Sequence, residues 1–247
     1  MSEHPAPGKV AVVTGGSGGI GFACAEALAA RGYELVLTAR RPEPLQAAAE
    51  KLGARWVAAD SADEDAFASV VAPLERVDFL VHAAGMLDGT FVRKESIETF
   101  DAVIRANLRS TFVVSSAVLP KMPVGGRIVF VSSSAGRQGM KGRSAYSASK
   151  GGMNAFAQSL SAEVARDGIN VHVLSPAPVD TGMLSRVTFP MHALRPKDVG
   201  DAVTFLDQLH PSVVLPEIVL QAADDGPHAP DPLMPDAARE KLDRKQA

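Results

Sequence analysis

A phenol and an ammonium stand four residues apart in Tyr146-Ser147-Ala148-Ser149-Lys150. On a helix both project from one face, about one turn apart. A cation beside a phenol favours the phenolate and lowers its pKa, which lets a tyrosine trade protons near neutral pH. Such a pair also arises on ordinary helices. It gains meaning here from the serine run Ser132 to Ser134 ahead of it and from a glycine-rich turn near the N-terminus.

That turn is Thr14-Gly15-Gly16-Ser17-Gly18-Gly19-Ile20-Gly21. It joins an apolar run, Val10 to Thr14, to an alanine-rich helical pattern from Ile20 to Arg31. A strand, a glycine turn and a helix in that order bring backbone N–H groups and the positive helix end onto a pyrophosphate. Glycines at 15, 19 and 21 leave room where side chains would collide with ligand or strand. The second strand ends Thr38-Ala39-Arg40-Arg41, with no carboxylate for the free ribose hydroxyls of NAD. Arginine suits a ribose 2′-phosphate through charge and a planar donor fork, so Arg40 and Arg41 predict NADP(H).

Elements to position these residues follow along the chain. Strands are expected at Val10–Thr14, Glu34–Ala39, Arg55–Ala59, Asp78–Ala83, Arg127–Ser132, Asn170–Ser175 and Glu217–Leu220. Between them lie helical patterns at 20–31, 42–52, 63–74, 95–119, 145–166 and 197–209, the second opened by Pro42 and stopped by Gly53. Strands alternating with helices demand a parallel sheet covered on both faces. Residues 1–225 read as a single catalytic domain. Residues 226–247 form a Pro-rich, then charged tail, either mobile or an arm that packs on a partner subunit.

Composition excludes several classes. A net charge of −3 leaves no basic footprint for nucleic acid. No apolar stretch is long enough to span a bilayer, and the polar residues 1–8 lack the apolar core of a signal peptide. The one cysteine, Cys24, sits in an apolar helix pattern and reads as a small buried hydrophobe. These features point to a cytoplasmic setting. No His/Cys cluster has metal-ligand spacing.

Taken together, the motifs resemble those of the short-chain dehydrogenase/reductase family, in its single-domain branch, to about residue 221. Thr14 to Gly21 resembles the TGxxxGxG cofactor turn, with Gly15, Ser17, Gly19, Ile20 and Gly21 at the cofactor. Asp60 falls where a residue after the third strand contacts adenine, or it serves as a turn cap. His82-Ala83-Ala84-Gly85 resembles NNAG, which brings Ala84 and Gly85 to the cofactor. Asn107 matches the family's helix asparagine. Ser133, thirteen positions before Tyr146, matches the catalytic serine. Pro176 to Thr181 resembles PG-x-x-x-T beside the nicotinamide, with Val179 and Thr181 as contacts.

The resemblance implies a Rossmann-type doubly wound α/β fold of about seven parallel strands. It also implies hydride transfer between NADP(H) and a small-molecule carbonyl or alcohol. Tyr146 would act as general acid or base, Ser133 would fix the substrate oxygen, Lys150 would tune Tyr146 and grip the nicotinamide ribose, and Asn107 would hold a water linking Lys150 to solvent. Alternatives are an NAD-dependent enzyme of the family and a non-catalytic dinucleotide sensor. Long helices at 95–119 and 145–166 are the implied contacts of a homodimer or homotetramer. Substrate choice falls to residues 86–92, 134–143 and 182–194, the last an apolar candidate lid carrying Met183, Leu184, Phe189 and Met191, with Arg186. Leu215 to Leu220 resembles the subgroup that handles small hydroxy compounds with NADP. Two residues depart from the pattern. His82 replaces an asparagine but can still hydrogen-bond, and Ala177 replaces a glycine, so it would be strained if its φ were positive.

Overall fold

The computed structural model describes residues 8–184, 191–223 and 230–235. Seven strands form one parallel sheet: β1 Val10–Thr14, β2 Glu34–Ala39, β3 Arg55–Ala58, β4 Phe79–His82, β5 Arg127–Val131, β6 Asn170–Pro176 and β7 Glu217–Leu220. Their spatial order is β3-β2-β1-β4-β5-β6-β7. Every residue of β1, β4, β5 and β6 is buried, as strands covered on both faces must be. The outermost strands β3 and β7 keep exposed residues. The connection reverses direction after β3, so β1 and β4 lie side by side at a switch point where open α/β sheets bind ligands.

Among the described residues seven α-helices flank the sheet: α1 Gly19–Ala30, α2 Pro42–Leu52, α3 Glu64–Val71, α4 Ile97–Ile104, α5 Ser110–Val118, α6 Ser144–Val164 and α7 Pro196–Gln208. On one face Leu28, Leu45 and Val203 of α1, α2 and α7 pack on Ala11, Val13, Leu37 and Val129. On the other, Phe67, Val114 and Met153 of α3, α5 and α6 pack on Val12, Leu80 and Phe130. Local chemistry sets the helix ends. Pro42 opens α2, and Gly53 closes it at φ 61°. Asp63 accepts from the Ala66 N–H at the start of α3, and Ser96 accepts from the Thr99 N–H at the start of α4. Cys24 is fully buried, and burial pushes its thiol up to about 12, which suits the inert hydrophobe expected.

The structure bears on three of the expectations. The single helix expected over 95–119 is interrupted by a π turn at Arg105–Arg109. Ser110 and Thr111 donate their hydroxyls to the carbonyls of Ala106 and Asn107 and so take up acceptors in that wider turn. Ala177 is not strained: among the described residues only glycines have positive φ, and the Ala177 N–H extends the β6–β7 ladder to the Leu220 carbonyl at 2.8 Å. Residues 230–235, the described part of the tail, pack on their own chain. Leu233 pairs antiparallel with Met191, and the Pro230 carbonyl lies 2.8 Å from His192 Nδ1. Composition signals a proline-rich segment as extended, but it does not reveal which edge such a segment joins. Phe189 and Arg186 of the candidate lid lie outside the described residues.

Candidate active site

Where the strands end, the β1–α1 turn opens a cleft of about 850 Å³. Gly15, Ser17, Gly19, Ile20, Gly21, Arg40, Arg41, Asp60, Ala84, Gly85 and Thr181 all line it, as expected from the sequence. The turn is built so tightly that a Cβ on Gly21 would stand 2.2 Å from the Gly15 carbonyl oxygen, and one on Gly15 would stand 2.9 Å from the Ala84 nitrogen. Gly15 and Gly19 also have φ of 69° and 54°. Gly18 caps α1 without a side chain, so the first-turn N–H groups of that helix are left for a ligand. Arg40 and Arg41 form no hydrogen bond or ion pair with another described residue and stand at the cleft as available cations.

Tyr146, Lys150 and Val179, also cofactor candidates, stand apart from that lining, and of these Val179 lies in the core behind it. Val179 is buried with Leu194 between sheet and α7, and a backbone bridge joins the two. An apolar β-branched side chain goes to the core, and motif position alone does not say which way it turns.

The four candidate catalytic residues gather beyond the Gly85 end of the cleft. A Cβ on Gly85 would meet Asn107 Oδ1 at 2.9 Å and Lys150 Nζ at 3.6 Å, so this glycine lets the cleft approach the group. Ser133, two residues past β5, is extended and caps the short turn Ser134–Gly136, accepting from the Ala135 N–H. Gly136 then lets this turn lie against α6, because a Cβ there would come within 2.9 Å of the Lys150 backbone. Tyr146 is packed among Val103, Ala135 and Ala145, with Ser133 near enough to act on its phenol. Lys150 lies one turn on, with Nζ 5.9 Å from the Tyr146 ring centre.

The electrostatics differ from the expectation that Lys150 lowers the tyrosine pKa. Burial pushes the Tyr146 phenol above its ordinary value, and Ser133 pulls the other way. Lys150 Nζ donates to the Val131 carbonyl at 2.8 Å, and burial lowers its own pKa to about 8. Asn107 is tied into the site through its side chain. Its Nδ2 donates to the Met86 carbonyl and to Ser149 Oγ, and its Oδ1 accepts from the Met86 N–H. Ser149 in turn donates to the Tyr146 carbonyl. Asn107 therefore ties the loop after β4 to the helix that carries Tyr146.

His82 fulfils the hydrogen-bonding role expected of it. Thr14 Oγ1 accepts from the Ala84 N–H and lies 2.8 Å from His82 Nδ1, while His82 Nε2 lies 3.0 Å from Ser110 Oγ. Ser110 already donates to Ala106, so the network assigns the proton to Nε2. Burial, with the nearby Lys150 charge, lowers the His82 pKa from 6.5 to about 3. The unfolded chain thus binds a proton that the folded chain refuses between those values. This contribution to stability is full above pH 6.5 and falls as pH drops toward 3. We expect His82→Asn to flatten the response. In urea unfolding at about pH 7 and about pH 4.5, the wild type should lose about 2–3 kcal/mol more than the variant between the two. Equal losses would refute the buried neutral imidazole.

Arg105 and Met183 also line the cleft, and neither was singled out as a cofactor contact from sequence. Arg105 lies two residues before Asn107, and positions two apart on a helix do not share a face. Only its place in the wall reveals it. Met183 was noted as an apolar lid residue, and its closeness to the glycine turn follows from the return of the chain after β6. No group of acidic, histidine or cysteine side chains suited to a metal occurs among the described residues.

Comparison with known proteins agrees with this arrangement. The family model described as short chain dehydrogenase matches residues 9–190. The human 3-oxoacyl-[acyl-carrier-protein] reductase is 41% identical over 184 residues, covering 71% of this chain and 77% of its own. The Escherichia coli (strain K12) 3-oxoacyl-[acyl-carrier-protein] reductase FabG is 37% identical over 184 residues, covering 71% and 75%. A short chain dehydrogenase from Burkholderia cenocepacia J2315, solved in complex with NADP, superposes with a TM-score of 0.77 at 32% identity, over 87% of this chain and 96% of that one. The match to the family model over most of the sequence, together with relatives more than 30% identical, makes this chain a member of the short-chain dehydrogenase/reductase family.

Proposed function

We propose that the protein is an NADP(H)-dependent oxidoreductase that interconverts a carbonyl and an alcohol, with Tyr146 as the general acid or base. The observation that carries this reading is the junction at Gly85, where a glycine-cradled cleft meets Ser133 and the buried Tyr146 and Lys150. The cleft fits a dinucleotide phosphate: the α1 N–H groups without a side-chain cap suit the pyrophosphate, and Arg40 and Arg41, which bond no described residue, suit a ribose phosphate. When bound, NADP(H) supplies the hydride chemistry. Solved relatives bound to NADP or NADPH support the same choice.

The chain's own residues handle the proton. Ser133 is close enough to Tyr146 to favour its phenolate, so a substrate oxygen bound at the pair would be within reach of both hydroxyls. Ser133 would orient that oxygen. Tyr146 would give it a proton in reduction and take one in oxidation. Burial alone raises the phenol's pKa, so ionisation depends on favourable partners, and Lys150 stands one helical turn away to provide charge. Asn107 would keep Tyr146 and the Met86 loop in register through Ser149.

Around the substrate end, Arg143 Nη1 donates to the Gly89 carbonyl and joins two of the three variable loops. Met86 and Met183 present apolar side chains to the cleft. The related 3-oxoacyl reductases make 3-oxoacyl thioesters the first carbonyl compounds to test, followed by simple ketones and aldehydes. The exposed Phe112 on α5 and Phe100 on α4 offer apolar surface for the proposed homodimer or homotetramer.

Nicotinamide absorbance followed with NADPH, NADH and this carbonyl panel tests the reading. Consumption of NADPH with at least one carbonyl is expected. Binding without consumption across the panel would instead make the chain a sensor. Arg40→Ala tests the cofactor choice separately. Removing one charge-assisted contact should cut the preference for NADPH over NADH roughly tenfold or more. An unchanged ratio would remove Arg40 from the phosphate site.

A further inference from the structure

We propose that Arg105 is a cofactor-positioning residue that acts through Asp60, holding its carboxylate as an acceptor for the adenine amine. This inference rests on the dinucleotide reading above. Asp60 follows β3, whereas Arg105 begins the π turn after α4. The two residues come from different walls of the cleft, and both line it. Arg105 Nη1 donates to Asp60 Oδ2 at 2.5 Å, and the Ala62 N–H donates to Asp60 Oδ1 at 3.0 Å. Each carboxylate oxygen is thus fixed by one donor and keeps capacity for a second.

The side chains are 47% and 33% exposed, so water screens the pair and it adds little to folding. Its position matters more. Ala102 and Ala106, beside Arg105, present only methyl groups to the cleft and leave a flat wall. Arg40 and Arg41 stand nearby at the end of β2. Burial pushes the Asp60 carboxyl up, but the Ala62 N–H and the Arg105 and Arg40 guanidiniums outweigh it and hold the group below the ordinary carboxylate range. An ionised carboxylate can only accept, which suits an exocyclic amine and rejects a carbonyl at the same place. The pair therefore reads the base, while Arg40 and Arg41 serve the ribose phosphate.

A double-mutant cycle on the full chain tests the assignment, with NADPH affinity read by fluorescence and turnover by absorbance. Arg105→Gln should weaken NADPH binding and raise its KM about five- to tenfold, with kcat within about twofold. Asp60→Asn should do the same, and the double variant should be no worse than the weaker single. Arg105→Lys should recover part of the loss, and it also supplies a folded variant if Arg105→Gln fails to fold. The proposal is overturned if Arg105→Gln binds NADPH like wild type or if the two losses multiply in the double variant. It is also overturned if kcat falls while binding holds, because Arg105 would then support only the turn that carries Asn107. A wild type that prefers NADH would overturn the ribose-phosphate reading alone, and the same cycle with NADH would still decide the role of Arg105. A wild type that binds neither dinucleotide would overturn both.

Discussion

Tyr146→Phe should lower turnover by roughly 10²–10⁴-fold, the usual contribution of a positioned proton-transfer group, while NADPH binds nearly as before. The ring packs among Val103, Ala135 and Ala145, and phenylalanine keeps those contacts. The change removes one hydroxyl beside Ser133. Neither Tyr146 nor Ser133 lines the glycine-rich part of the cleft, so the dinucleotide's phosphate contacts should survive. Stopped-flow binding and steady-state turnover on the same preparation would separate the two effects. Retained turnover would sink the general acid assignment. Equal loss of binding and turnover would show that the hydroxyl holds the site together instead.

Gly21→Ala should cost both binding and stability. The added methyl would meet the Gly15 carbonyl oxygen at 2.2 Å and the Gly15 carbonyl carbon at 2.6 Å. Both are backbone atoms of the same turn, so no side-chain rotation relieves the clash. The turn must open, which moves the α1 N–H groups away from the phosphates they would bind. Overpacking of this kind costs about 1–3 kcal/mol, enough to lower the melting temperature by several degrees. NADPH affinity should fall at least about tenfold, measured at a temperature where the variant is still folded. A variant that melts and binds like wild type would show that the turn already has the room these distances deny it.

Much of the fold was legible because its signals are local. The apolar runs of β1 and β2 end at glycine or arginine, and Pro42 and Gly53 bracket α2, so these elements match their expected bounds closely. The glycine turn was legible because backbone approach requires glycine and the strand and helix around it supply context. The Ser133, Tyr146 and Lys150 assignment depended on a family resemblance as well as helical spacing. The features that were missed depend on contacts between distant segments. The π turn at Arg105–Arg109 has no sharp sequence marker, because the serine and threonine that accommodate it are ordinary helix residues. The burial of Val179 against Leu194 is another of these features. The partners of Asn107 are a loop backbone and a serine on another helix, separated from it by 21 and 42 residues.

From the sequence by itself came the alternation of strands and helices, the glycine turn, the paired arginines and the Tyr146–Lys150 spacing. Each of these is written in residue types within a few positions of one another. Only the tertiary structure decided how that spacing works. Burial, a property of the whole packed sheet and its helices, raises the Tyr146 phenol and lowers the Lys150 ammonium, so proximity along one helix is not enough to ionise the tyrosine. The fold likewise brought Arg105 to Asp60 across the cleft and laid Leu233 beside Met191. These contacts join segments far apart in the chain, where desolvation and close approach appear only after the walls of the site have come together.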